Sequence, residues 1–325
     1  MMPMSSPPRI LPKKHAVFVT SRTEEGLPFV ATEYMKLIIM SVLARAQHLH
    51  PVLVCTYCWM GNHLHMVLVV EDPELIAAFM DRIKTELGHA VNRLLGRRNR
   101  TVWSADYDSP PILTIEDVLE KIVYTLTNPQ AANLIDTIDE YPGVHSWDMF
   151  TRDHLSISVP WIQRPMIEKL RRPAVTPAED AALTEHLRTQ AECSHTFTLT
   201  PFAWLECFNV PTSQRERMRA RIIALVRERE ATLRKERTSP CLGASKLRRQ
   251  SIAQPYTPKK FSKRMWCICR DKERRRLFIN RIKLLVHTAR AVYKNWKRGD
   301  FSVPYPQELF APRMPRVSLC PNSTG

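Results

Sequence analysis

Residues 51–70, PVLVCTYCWMGNHLHMVLVV, decide the fold. Two runs rich in β-branched and aromatic residues, 51–60 and 64–70, flank the dipeptide Gly61-Asn62. Such runs predict β-strands, and a glycine-containing dipeptide between them is typical of a two-residue hairpin turn, here of the II′-like type. The stretch therefore predicts two antiparallel strands joined by one tight turn.

The residues on both sides of this hairpin predict further elements. Residues 15–22 predict a strand, and residues 29–47 have helical periodicity. After the hairpin, Asp72 or Glu74 begins a helix that runs to about Leu95 and has a proline near its first turn. This order of elements predicts an α+β domain, in which an antiparallel sheet has its helices packed on one face.

A third helix is predicted after a short edge element. Residues 103–107 suggest a short strand, which the Pro110-Pro111 pair ends. Thr114, with Asp117 three residues later, is a plausible helix cap. The helix then continues to Asn128, because the proline that follows bends or ends it.

The charge of the chain is concentrated in one region. The 325 residues have a net charge of +16, and residues 212–300 hold 27 Lys/Arg against 7 Asp/Glu, which leaves 21 against 25 elsewhere. Such an excess predicts a polyanionic partner, nucleic acid first. We expect two domains, one over residues 13–150 and a mainly helical, basic accessory region with a Pro-rich tail over residues 151–325.

The accessory region has four predicted helices, over residues 161–172, 178–190, 213–237 and 270–298. The last two are strongly basic and are predicted to contact the DNA backbone. The aromatic residues in and near them form a local core more often than they stack on bases. The candidate DNA-contacting residues are Arg22, Arg97, Arg98, Arg100, Lys246, Arg248, Arg249, Arg274, Arg275 and Arg276.

The cysteines and the apolar runs indicate the compartment. Eight scattered cysteines, with no secretory signal at the start, predict reduced thiols in a cytosolic protein. The best apolar run, residues 37–44, is too short to span a bilayer, so no membrane partner is expected. Cys55-x-x-Cys58 and Cys267-x-Cys269 are weak candidates for zinc binding. A separation of three on a strand puts the first two thiols on opposite faces, and the second two have no clear partner pair.

His63 and His65 are the first candidates for chemistry. Side chains two residues apart on a strand point to the same face, so both imidazoles could share one divalent ion while Leu64 points the other way. Two histidines leave the ion open to oxygen ligands, which suits Mg²⁺ or Mn²⁺ on a phosphate. A bare His-x-His is, however, more often two polar residues on a solvated sheet face.

Tyr124 and Asn128 are the second pair of candidates. Four residues apart on a helix, they face the same way. A tyrosine can act as a nucleophile, but its ordinary pKa near 10 keeps it neutral, so it needs a metal-polarised phosphate and a proton acceptor. The alternative is an amphipathic helix that buries Tyr124 in the core.

Together, the stretches 60–65 (MGNHLH) and 124–129 (YTLTNP) resemble the motifs of the single-tyrosine HUH transposases, nearest to the REP-associated tyrosine transposases. The end of the first strand, residues 20–22 (TSR), and the region 103–107 also resemble theirs. The resemblance covers about residues 13–135. It implies a ferredoxin-like antiparallel sheet as the catalytic domain.

The resemblance also implies an activity. His63, His65 and Asn128 would hold Mg²⁺ or Mn²⁺, and Tyr124 would cut single-stranded DNA, often next to a hairpin, through a 5′-phosphotyrosine link. The family further implies a homodimer in the bacterial cytoplasm, associated with the nucleoid. Two alternatives stay open: a DNA-hairpin-binding protein that keeps the fold but does not cut, and a replication or conjugation initiator of the broader HUH class.

Overall fold

The computed structural model of the protein describes residues 14–98, 100–104, 106–257, 265–309 and 312–315. The end of the Pro-rich tail, from residue 316 onward, lies outside the described residues, as does residue 13 at the start of the predicted catalytic domain. The fold is α+β, as the sequence predicts.

Three strands form the main sheet in the order β1-β3-β2. They are β1 (His15–Arg22), β2 (Leu53–Met60) and β3 (His63–Val70). Both pairs are antiparallel, so the hairpin and the first strand are confirmed. Because β3 is the central strand, its side chains contact neighbours from both β1 and β2.

The turn at Gly61-Asn62 joins β2 to β3, but its predicted type is wrong. A II′ turn needs a positive φ at its first central residue, and neither Gly61 nor Asn62 has one. The carbonyl oxygens of the turn accept hydrogen bonds from Phe29 N at 2.9 Å and from Thr23 N at 2.8 Å. Contacts with the loop that follows β1 therefore fix this turn.

Residues 102–104 and 106–112, called the edge segment below, run antiparallel along the free edge of β1. The strand predicted near 103–107 is wrong for the described residues, because the segment makes only isolated bridges. Prolines 110 and 111 lack the N–H that a regular ladder needs. The bridges join Thr23 to Trp103, Thr20 to Asp108 and Val17 to Pro111. The sheet therefore has the order edge segment-β1-β3-β2.

Three helices accompany the sheet: α1 (Glu33–Leu49), α2 (Pro73–Leu94) and α3 (Ile115–Leu126). The predicted start of the first helix at residue 29 is four residues too early, because Phe29 N donates to the hairpin turn instead. Asp72 caps α2 by accepting from Glu74 N at 3.0 Å, as predicted.

The helices cover both faces of the sheet, so the prediction of helices on one face is wrong. Tyr57 and Cys58 are neighbours on β2 and point to opposite faces. The Tyr57 hydroxyl lies 3.8 Å from Met40 Sδ of α1, whereas Cys58 is in register with His65, which contacts Tyr124 of α3. Seven of the eight β2 residues are buried, as a strand covered on both faces requires.

The third helix ends earlier than predicted. Thr114 caps α3 by accepting from Asp117 N at 3.1 Å, which confirms the predicted start. The helix stops at Leu126, and Asn128 begins a separate single turn, α4 (Asn128–Ala131). Pro129 causes this break because its nitrogen cannot donate to the preceding turn.

The C-terminal half adds helices and a second small sheet. The helices are α5 (Trp147–Thr151), α6 (Pro177–Gln190), α7 (Arg215–Glu236), α8 (Ala244–Arg248) and α9 (Lys272–Trp296). α6, α7 and α9 confirm three predicted helices. The helix predicted over 161–172 is wrong, because only a 3₁₀ turn, Arg164–Met166, forms there, with Pro165 as its middle residue. The unpredicted two-stranded sheet of β4 (Ser156–Pro160) and β5 (Ser194–Thr198) pairs segments that α6 separates in the chain.

One buried cluster includes residues from Ala16 to Ile268, so the C-terminal half shares the main core. A smaller cluster lies along α9, where Trp266 and Phe278 pack against Ile282 and Val286. This packing favours the interpretation of those aromatics as local core. The division of the chain near residue 150 stays a prediction. None of the described helices combines the length and the apolar character needed to cross a membrane.

Candidate functional site

Four predicted residues from three elements meet at the N-terminal end of β3. The ring centres of His63 and His65 are 4.9 Å apart, and the ring of Tyr124 lies 5.2 Å from that of His65. Asn128 Oδ1 is 3.3 Å from His63 Nε2. The break between α3 and α4 thus leaves Tyr124 and Asn128 facing the same pair of imidazoles.

His63 has an oxygen acceptor against each of its ring nitrogens. Nδ1 lies 2.7 Å from Asn62 Oδ1, and Nε2 lies 3.3 Å from Asn128 Oδ1. Burial, and then the charge of Arg22, lower the pKa of His63 to about 4, although the Asn128 contact raises it. The ring is therefore neutral near pH 7 and has one N–H to donate.

The shorter contact favours Asn62 as the acceptor of that N–H, which places the proton on Nδ1. The lone pair of His63 Nε2 then faces the oxygen of Asn128, which is also an acceptor. Two lone pairs facing each other in a partly buried site are satisfied by a cation between them. Asn62 also fixes the tautomer of His63, as outer-sphere hydrogen bonds to metal-binding histidines commonly do.

His65 has the more unusual environment. It is 4% exposed, and within the described part of the chain neither ring nitrogen has a hydrogen-bond partner. Its ring stacks on Phe18 at 5.3 Å with an interplanar angle of 9°. Burial, followed by the charges of His63, Arg22 and Lys121, lowers its pKa well below the usual value. A neutral imidazole with an unused lone pair is the form that binds metal.

These residues fit a divalent cation, with two imidazole nitrogens and one amide oxygen as ligands. Among the described residues, no three His, Cys, Asp or Glu side chains gather in one place. The third ligand would therefore be the carboxamide of Asn128. Imidazole and amide ligands, with positions left open for phosphate oxygens, suit Mg²⁺ or Mn²⁺.

Two positive charges lie beside this site. Arg22 is opposite His63 in the β1-β3 register and is exposed. Lys121 Nζ lies 5.3 Å from the ring centre of Tyr124 and 5.6 Å from that of Phe18. Lys121 was not among the predicted site residues, although its position three residues before Tyr124 on one helix placed it on the same face.

Tyr124 is 42% exposed, so the alternative of a core tyrosine is wrong. Its outer side borders a groove of about 610 Å³ between α3 and α7. Arg221, Arg229 and Arg270 also line this groove, and none of them was singled out from the sequence. Their presence there depends on the packing of α7 and of the segment before α9 against α3, which periodicity does not predict.

The loop arginines predicted to contact DNA do not reach the site residues. Arg97 and Arg100 lie 3.9 Å and 2.8 Å from Glu25, and Arg98 is exposed. Glu25 follows β1, so the loop lies at the same end of the sheet as His63. These arginines border the site region without contacting His63, His65 or Tyr124.

The predicted basic residues of the C-terminal half occupy two places. Lys246, Arg248 and Arg249 are exposed on or just after α8, and none of them forms an ion pair within the described residues. At the start of α9, Arg274 donates to Leu113 O at 3.2 Å, while Arg275 and Arg276 are exposed. The α9 end is tied to the start of α3, since Arg270 N donates to the Asp117 carboxylate.

The low pKa of His63 predicts a pH-dependent stability. Between the ordinary value of 6.5 and about 4, the unfolded chain binds more protons than the folded protein, so the free energy of unfolding falls as the pH falls. The loss is on the order of 2–3 kcal/mol. Urea unfolding with chelator at pH 7 and pH 4.5 should give a smaller loss for His63→Gln than for the wild type. An exposed control, His186→Gln, should behave as wild type, and an equal loss in His63→Gln would refute the assignment.

No protein-family model matches the chain, and no curated protein matches it. Among solved structures, the chain is similar to one described as the structure of a REP-associated tyrosine transposase bound to a REP hairpin. The TM-score is 0.41 at 14% identity, and the match covers 46% of this chain and 87% of that one. A likeness at this level says nothing about activity, which depends on the residues of the site itself.

Proposed function

We propose that the protein is a metal-dependent single-strand DNA endonuclease and strand transferase of the single-tyrosine HUH type, a transposase in its chemistry. The observation that carries the proposal is the convergence of three lone-pair donors, on His63, His65 and Asn128, beside the exposed hydroxyl-bearing ring of Tyr124. The sequence resemblance of the two motifs supports the same reaction.

The reaction follows from the chemistry of these groups. A divalent cation held by His63, His65 and Asn128 would stabilise negative charge on the non-bridging oxygens of the phosphate. Tyr124 Oη forms a bond to phosphorus while the bond from phosphorus to the 3′-oxygen breaks. The phenol proton goes to water, and the departing oxygen takes up a proton to become a 3′-hydroxyl. Attack by a 3′-hydroxyl on the 5′-phosphotyrosine reverses these steps and rejoins the strands.

Neighbouring residues have supporting roles in this proposal. Asn62 keeps the proton of His63 on Nδ1, which leaves Nε2 free to bind the cation. Arg22 and Lys121 add positive charge where a phosphate would approach Tyr124. The stack with Phe18 holds His65 in one orientation.

The sheet order supports the finer fold assignment. Edge segment-β1-β3-β2, with α1 and α2 as the two connecting helices, is the arrangement of a ferredoxin-like split β-α-β fold. The homodimer and the preference for DNA next to hairpins rest on the sequence resemblance alone.

The test is formation of a covalent adduct by the wild-type protein. Single-stranded DNA that contains the hairpins flanking its own gene is incubated with Mn²⁺, Mg²⁺ or chelator, and the products are separated on a denaturing gel. We expect a metal-dependent adduct that retains a 3′ label and not a 5′ label, because tyrosine takes the 5′-phosphate. The same sequence as a duplex is the control. Absence of an adduct with both metals would overturn the proposal.

A DNA-binding protein that does not cut is the second candidate. The exposed basic residues on α8 and at the start of α9 favour it, because they bind phosphates without any chemistry. Such a protein would bind the hairpin substrate in a salt-dependent way and form no adduct.

The α8 charges give a prediction that holds for both candidates. Replacing Lys246, Arg248 and Arg249 together with glutamine should lower the slope of log affinity against log salt by about 2, since each phosphate contact contributes roughly 0.7–0.9. Fluorescence anisotropy with a labelled hairpin at several salt concentrations measures this slope. Arg188→Gln, on the exposed side of α6, is the control. A slope unchanged in the triple variant would exclude α8 from the DNA contact.

A further inference from the structure

Glu230 is a buried carboxylate in the strongly basic helix α7. It is 2% exposed. Its Oε1 accepts hydrogen bonds from Gln130 Nε2 and from Ile138 N, both at 2.7 Å. Its Oε2 accepts from Arg227 Nη1 at 2.9 Å. Both carboxylate oxygens therefore have donors, and two of the three donors come from residues 130–138, about 100 positions earlier in the chain.

A buried carboxylate is a costly way to join two elements. Removal of its charge from water is unfavourable, and an apolar pair would pack two elements together without that cost. Unlike an apolar contact, a charged acceptor fixes the orientation of the donor groups around it. Gln130 lies two residues after Asn128 in the single turn α4. Holding its side chain therefore fixes the backbone that carries Asn128.

The chain just after α7 donates hydrogen bonds to the residues that follow this turn. Leu242 N donates to Asn133 O at 3.0 Å, and Gly243 N donates to Leu134 O at 2.8 Å. Arg237 Nη2 donates to Ile135 O at 3.1 Å. These bonds lie immediately beyond α4. The side chain of Gln130 is thus bound by Glu230, and the backbone just after α4 is bound by residues 237–243.

An isolated helical turn does not maintain itself in water. Forming a first turn fixes several residues for one hydrogen bond, so four residues alone are not helical. Only Thr127 separates α4 from α3, so its shape depends on the end of α3 and on tertiary contacts, which Glu230 and residues 237–243 provide. Asn128 Oδ1 is 3.3 Å from His63 Nε2 only while that shape holds.

We propose that Glu230 and residues 237–243 form a brace that positions Asn128 for metal binding, with Glu230 as its main positioning residue. The proposal rests on the function proposed above. It assigns to α7 a part in building the site, in addition to any contact with DNA. Without the brace, Asn128 would lose its fixed position opposite His63, and the site would keep only its two imidazoles.

The test compares Glu230→Ala and Gln130→Ala with two controls in the full-length protein. Val226→Ala removes buried packing from α7 and leaves the brace intact, while Glu236→Ala removes an exposed carboxylate from the same helix. Mn²⁺ affinity without DNA is measured by electron paramagnetic resonance. We expect binding to weaken about tenfold or more in both brace variants and to stay unchanged in both controls. The double variant should bind Mn²⁺ no more weakly than Glu230→Ala alone, since both single changes remove the Gln130–Glu230 contact.

Two further readouts separate positioning from general stability. Glu230→Gln keeps an oxygen for Gln130 and should restore most of the Mn²⁺ affinity. In metal-free protein, the amides of Ala131 and Ala132, which bond to Thr127 O and Asn128 O, should exchange faster in Glu230→Ala than in Val226→Ala. If Glu230→Ala does not fold, the Mn²⁺ affinity of Gln130→Ala alone decides whether the brace exists.

Wild-type Mn²⁺ affinity in a folded Gln130→Ala or Glu230→Ala variant would overturn the brace. So would an equal loss of affinity in Val226→Ala. If the wild type itself neither binds Mn²⁺ nor forms an adduct, the proposed function fails and the brace fails with it. The two failures are distinguishable, because the first leaves a wild type that binds metal.

Discussion

Replacing Tyr124 with phenylalanine should abolish the covalent protein–DNA adduct and leave DNA binding intact. The phenyl ring keeps the edge contacts with His65 and Phe18, so the site keeps its shape. Only the oxygen that attacks phosphorus is lost. Removal of a nucleophile lowers the rate by orders of magnitude, and we expect a loss of at least about a thousandfold. Adduct yield on a denaturing gel measures it, with Mn²⁺ affinity as the check on the site.

Tyr256→Phe is the matched control for this variant. Tyr256 is 43% exposed, close to the exposure of Tyr124, and does not contact His63 or His65. Its variant should form the adduct at the wild-type rate. An adduct that persists in Tyr124→Phe would mean that another group attacks the phosphate, and the mechanism proposed for this site would be wrong.

Replacing His65 with phenylalanine should separate stability from activity. The new ring can stack on Phe18 as the imidazole does, and it removes two buried nitrogens that lack hydrogen-bond partners among the described residues. A buried polar group without a partner costs about 1–3 kcal/mol, so the metal-free variant should be as stable as the wild type or more stable. Loss of a metal ligand should reduce adduct formation at least about a hundredfold.

Urea unfolding in chelator and the adduct assay measure the two sides of this prediction. A phenylalanine that replaced a histidine with no role in the reaction would leave adduct formation unchanged, whatever it did to stability. A gain in the free energy of unfolding together with a loss of adduct formation is the result expected for a residue that serves activity at the expense of stability. If His65→Phe lost stability and kept adduct formation, His65 would be a core residue and no metal ligand.

The sequence predicted the parts of the fold that depend on local pattern. The strands around Gly61-Asn62 and the caps at Asp72 and Thr114 are governed by alternation and by capping chemistry. The predicted helix over 161–172 failed because Pro165 permits only a 3₁₀ turn there. The two-stranded sheet of β4 and β5 was missed because its strands are short and far apart in the chain, and β5 is mostly polar. The turn type was missed because tertiary hydrogen bonds set it.

The candidate site was predictable only for residues that belong to motifs. His63, His65, Tyr124 and Asn128 have spacings that place each pair on one face, and the structure brings the two pairs together. The hydrogen bond of Asn62 and the carboxylate of Glu230 depend on side-chain packing between segments that no periodicity relates. Glu230 also lies in the basic helix α7, whose composition predicts contact with DNA. The excess of Arg and Lys in this helix gave no reason to expect a buried carboxylate that bonds to Gln130.

The bond between Gln130 and Glu230 has a consequence for the order of synthesis. The two residues are 100 positions apart in the chain. At about 5–20 residues per second, a ribosome adds the second roughly 5–20 s after the first. The nascent chain therefore carries both histidines and the tyrosine for that interval before the turn at Asn128 can be fixed. On the proposed brace, Asn128 takes its position opposite His63 only after Glu230 has been added, when the chain is nearly three-quarters made.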